Sequence, residues 1–130
     1  MKCIRSLVLL SLFLLSIFIS CNQREKQYLT DRNFIKLDEK ISNDKKHKIT
    51  EYYFDIGALG FSRVFWAILP LPFEENEPLN DYIIPDGYKA ISWTNLDEVI
   101  LEKWQPYYYK DKEIELKTGD TFNDTKVMIK

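Results

Sequence analysis

Residues 49–69 read ITEYYFDIGALGFSRVFWAIL, and this stretch decides the fold class. In the first eight positions Tyr52, Phe54 and Ile56 alternate with Glu51, Tyr53 and Asp55. Alternation with period two places one set on each face of a β-strand. Gly57-Ala-Leu-Gly60 follows, with two glycines three apart between aromatic and β-branched runs, and predicts a tight turn or bulge. Residues 61–69 are largely apolar on both faces: Val64, Trp66 and Ile68 with Ser62 on one, Phe61, Phe65, Ala67 and Leu69 with Arg63 on the other. A strand of that kind is expected to be central and covered on both sides. Pro70 and Pro72 end it.

The pattern continues towards the C-terminus as short strands with turn signals between them. Residues 73–85 carry Glu74, Glu75, Glu77 and Asp81 with two prolines and read as an exposed acidic loop, with an edge segment at residues 82–84. Pro85-Asp86-Gly87 is turn chemistry. Residues 88–93 and 97–104 then predict a hairpin with Asn95 and Asp97 at its tip. After Pro106, residues 107–109 resume a strand. Ile114 and Leu116 are expected to point inward, turns are expected at residues 118–120 and 123–124, and Val127 and Ile129 mark a last strand. Together these predict a mainly β domain over residues 48–130: a small antiparallel meander, sandwich or partly open barrel. On the N-terminal side, Phe34, Leu37 and Ile41 stand at i, i+3 and i+7 behind a capping Asp31, and predict a short helix within residues 32–44. Residues 22–31 (NQREKQYLTD) read as a polar tether, and residues 43–48 as a charged break.

The chain opens with Lys2 and Arg5, an apolar run over residues 7–19 (LVLLSLFLLSIFI), then Ser20 and Cys21. Charged start, short apolar core and small residue at the cut form the layout of an export signal. A membrane-spanning helix needs about 20 apolar residues. The uncharged stretch here, residues 6–23, is interrupted by serines and has a polar end. Phe18-Ile-Ser-Cys21 resembles the lipobox of bacterial lipoproteins, with Phe18 where leucine is most common. The resemblance covers residues 1–21 alone. It implies a signal peptide at 1–20, a thioether lipid on Cys21, and a membrane anchor on the extracytoplasmic side of the cell envelope. Residues 21–47 then hold the lipidated cysteine, the tether and the short helix. Asn22, where aspartate commonly marks inner-membrane retention, implies the outer membrane if the host has two.

Composition narrows the function. The chain has 130 residues with 18 basic and 20 acidic side chains, and losing Lys2 and Arg5 with the signal makes it more acidic. That leaves no basic field for nucleic acid. The two cysteines are Cys3 and Cys21, so a lipidated Cys21 leaves none for a disulfide and stability must come from packing. The single histidine, His47, lies in the charged NDKKHKIT run without the partners that zinc or a Ser-His-Asp arrangement needs. No cofactor, metal or catalytic residue is predicted. The aromatic cluster Trp93, Trp104, Tyr107, Tyr108 and Tyr109 is the candidate binding surface, because exposed Trp and Tyr bring contact area at low entropy cost. The expected function is a non-catalytic module binding an envelope protein. The alternative is a glycan-binding or glycan-cleaving domain that uses the same rings with carboxylates such as Asp55 or Glu102.

Overall fold

A computed structural model describes residues 25–104 and 114–130 of the chain. The protein is mainly β, with two sheets packed face to face. The first sheet has strand order β1-β2-β3, all antiparallel: β1 (Phe34–Ile41), β2 (His47–Phe54) and β3 (Phe65–Pro70). The second has order β4-β5-β7-β6: β4 (Tyr88–Trp93), β5 (Val99–Lys103), β6 (Thr121–Phe122) and β7 (Thr125–Ile129). Within it β7 runs parallel to β5, so the sheet is mixed rather than purely antiparallel. The long connection between β5 and β6 permits that return. No helix among the described residues is long and apolar enough to cross a membrane.

Alternation on β2 and β3 builds two cores, one on each face of the first sheet. Ile49, Trp66 and Ile68 face the second sheet and pack with Ile84, Tyr88, Ala90, Val99, Leu101 and Val127. Tyr52, Phe54, Ala67 and Leu69 face the other way and are covered by Leu79, with Leu29, Phe34, Phe73 and Tyr82 around them. Fully burying a side chain of this size stabilises by about 1.5–3 kcal/mol, so both cores matter in a chain this short. Trp66, Ala67, Ile68 and Leu69 are all buried, which is the two-sided cover expected of the second strand. Its position differs from expectation. β3 lies at the sheet edge, and an isolated bridge from Ala67 to Ile83 is what meets its outer side. It also starts at Phe65 rather than Phe61, which is 72% exposed.

The helix expected within residues 32–44 is the edge strand β1. A register shift between Lys36 and Asp38 explains the misleading spacing. The extra residue of a bulge breaks strict alternation. Phe34 then packs on Tyr52 at 5.0 Å between ring centroids, while Leu37 and Ile41 stay exposed. The sheet therefore begins ahead of residue 48. The residues before it are also tied down: Gln27 N–H donates to Asn80 Oδ1 at 2.8 Å, and Gln27 Oε1 accepts from the buried Tyr52 hydroxyl at 2.9 Å.

Residues 73–85 are a cover as well as a loop. Glu74, Glu75 and Asp81 are exposed, but Leu79 is fully buried and Glu77 accepts a hydrogen bond from Tyr82. The β4–β5 hairpin forms as expected, with Asp97 at φ 57° in its tip. Ile114 is 59% exposed, against the inward orientation expected of it, because its stretch runs as irregular chain outside both sheets. Leu116 does pack on the core, and Tyr88 Oη accepts its N–H at 2.8 Å.

Candidate binding surface

The sandwich has two dissimilar poles. At one, the β1–β2 turn meets the tip of the β4–β5 hairpin. The N–H groups of Asn43 and Asp44 donate to the two carboxylate oxygens of Asp97 at 2.6 and 3.2 Å, and Asn43 Nδ2 donates to Thr94 O at 3.1 Å. Ser42 Oγ donates to Asp44 at 2.7 Å, which with the Lys46 N–H holds the Asp44 carboxyl below its ordinary pKa. Trp93 sits here, half-buried. Its indole N–H donates to Lys40 O at 2.9 Å, and its ring lies 6.5 Å from His47. These bonds tie β4 to β1 and account for Trp93 as a fastening between the sheets.

At the other pole a shallow cleft, enclosing only about 20 Å³, opens between β3 and the start of β4. Trp66, Tyr88 and Trp104 contribute its rings, and Arg63 and Asp86 its charges. Trp104 packs edge-on against Trp66 at 5.3 Å, and its backbone N–H donates to Gly87 O at 2.8 Å. Arg63 pairs with Asp86 at 2.7 Å and lies over the Phe65 ring, 4.7 Å from its centroid. Pairing and cation–π contact together fix the guanidinium at the cleft wall. A depression this shallow has room for about one water, so a partner would lie over its ring wall rather than enter it.

Of the two candidate surface residues that are described, Trp93 and Trp104, Trp104 joins the cleft. Trp93 lies at the opposite end of the hairpin, about 20 Å away along β4. Tyr107, Tyr108, Tyr109 and Cys21 fall outside the described residues. Glu102 faces Lys89 at 3.8 Å across the β4–β5 pair, and Asp55 accepts the N–H of Gly57 at 2.9 Å. Among the described residues no group of three or more His, Cys, Asp or Glu side chains could hold a metal ion. Sequence reasoning missed Arg63, Phe65 and Trp66 as neighbours of Trp104, because β3 and β4 meet only through the fold.

It also missed a second feature of this pole. The β2–β3 connection, residues 55–64, holds Gly57 at φ 65° and Gly60 at φ 100°, conformations that other residues adopt at a cost. The sequence predicts this turn, but not what it displays. Leu59 is 86% exposed, Phe61 72% and Ile56 42%. Phe61 stands edge-on to Tyr53 at 5.4 Å, which braces the base of the loop. Comparison with known proteins adds no relative: no family model, no curated protein and no solved structure matches the chain.

Proposed function

We propose that the protein is a lipid-anchored component of the bacterial cell envelope, held by Cys21, and that its β sandwich is a non-catalytic module that binds another envelope component at the Trp104 cleft. The anchor rests on the export signal and lipobox of residues 1–21. The observation that carries the binding role is the cleft itself: rings from two sheets beside a guanidinium fixed by Asp86 and Phe65. Aromatic and arginine side chains in a preformed site are the residues that dominate binding energy when a partner covers them.

A protein surface laid over this cleft suits it better than a sugar held for cleavage. Hydrolysis calls for two carboxyl groups facing one bond, about 5–9.5 Å apart. Here Asp86 is occupied by Arg63, and Glu102 lies across from Lys89. Cross-linking in the native envelope tests the proposal. Wild type should yield one recurrent protein partner, and Trp104→Ala should lose it while Trp104→Phe, which keeps a ring on Trp66, retains it. An unchanged partner in Trp104→Ala, with the thermal transition intact, would remove the cleft from the account. Retained polysaccharide fragments in place of a protein would favour the glycan reading.

A further inference from the structure

We infer that the loop of residues 56–61 is a second membrane contact, dipping its apolar side chains into the bilayer interface beside the lipid anchor. This rests on the anchor reading above and adds where the domain touches the membrane and which way it faces.

Three observations point to lipid as the occupant. First, no charged residue lies between Asp55 and Arg63, and the loop displays Ile56, Leu59 and Phe61 together. The other exposed large apolar side chains are set among charges. Leu37 lies between Lys36 and Asp38, Ile41 follows Lys40, and Leu96 precedes Asp97 and Glu98. Isolated exposed leucines are ordinary on a soluble surface, whereas an uninterrupted apolar group marks a contact.

Second, the tether is long enough to bring the anchor to this end of the molecule. Asp55 N–H donates to Asn33 O at 2.9 Å, so the N-terminal segment enters the sheet beside the root of the loop. Gln27 is held at the Tyr52 hydroxyl. Cys21 precedes Gln27 by six residues, which span at most about 20 Å. Ile56 follows Tyr52 by four, about 13 Å along the strand direction. The tether therefore keeps the lipid-bearing residue within reach of the loop, although the His47 end of β2, about 17 Å from Tyr52, is within the same reach.

Third, the shape fits insertion to a limited depth. Leu59 is the tip, and the Tyr53–Phe61 ring pair forms the base, where amphipathic rings sit at headgroup level. Interfacial apolar elements enter about 5–10 Å, the reach of a short loop. Charges around the base are mixed, with Arg32 and Asp55 both exposed, so apolar burial rather than attraction to anionic lipid supplies the contact. In this orientation the cleft, which begins at Arg63, opens close to the headgroups.

The test uses the full chain, processed in cells, purified in detergent and reconstituted into phosphatidylcholine vesicles with brominated acyl chains. A Leu59→Cys variant carries an environment-sensitive fluorophore, and a Leu96→Cys variant, equally exposed at the far pole, serves as control. Neither side chain is in a core, so folding is unaffected. Both proteins should float with the vesicles. The label at 59 should shift to the blue and lose most of its emission to bromine, while the label at 96 keeps its emission. Flotation with both labels unquenched overturns the loop contact and leaves the anchor standing. Failure to float, or a second label taken up at a free Cys21, overturns the anchor and this inference with it.

Discussion

At the scale of single residues, the fold is decided by which side chains meet across the first sheet. Thr50 is 1% exposed on the Tyr52 face of β2, and its hydroxyl has no partner among the described residues. An unsatisfied buried hydroxyl costs about 1–3 kcal/mol. Thr50→Val keeps the shape and the β-branching and is expected to raise the unfolding free energy by about 1 kcal/mol, seen as a higher denaturant midpoint at unchanged slope. Glu39 shows a charge effect. Hydrogen bonds from Lys36 at 2.7 Å and from Lys48, at 3.1 Å, hold its carboxyl below the ordinary 4.5. A depressed folded value means stabilisation that is present above the unfolded value and lost as pH falls through the folded one. The group is a quarter exposed, so solvent limits the effect to about 0.5 kcal/mol. Glu39→Gln should be less stable than wild type at pH 7, and the difference should shrink as pH falls below 4.5 and vanish once it passes the lowered folded value.

At the scale of elements, the turns and the paired strands were legible and the edge strand was not. Gly57, Gly60 and Gly119 all take positive φ, and the first two set the loop where the sequence placed a turn. Asn123 and Asp124, at φ 48° and 59°, make the two-residue turn between β6 and β7. That backbone prefers glycine at its second position. Asp124→Gly should therefore stabilise by about 0.5 kcal/mol, and Asp124→Val should destabilise by at least as much, both read from thermal unfolding. β1 was hidden because its bulge displaces the alternation, and apolar residues at i, i+3 and i+7 then imitate a helical stripe. Its pairing with β2 is a long-range fact that local periodicity does not carry. The same holds for β7, whose alternation identifies a strand but not its parallel partner β5.

At the scale of the whole molecule, structure separates what the sequence grouped. Trp93 and Trp104 are near in the chain, yet one fastens the two sheets at the turn pole and the other walls a cleft at the loop pole. Sequence proximity on a hairpin does not survive when the residues stand at its two ends. The exposed apolar loop was present in the sequence as IGALGF, but exposure depends on what packs against a turn, and only the fold shows that Leu59 is left uncovered by the described residues. The functional account joins this polarity to the anchor: a sandwich held at the envelope by Cys21, its loop pole and Trp104 cleft turned to the membrane. The anchor is the claim on which the rest depends, and mass spectrometry of the mature N-terminus tests it most directly. The protein isolated from membranes of expressing cells should begin at Cys21 and carry a diacylglyceryl thioether, absent in Cys21→Ala. A chain that still begins at Met1, or one cut elsewhere with an unmodified Cys21 thiol, would contradict the account.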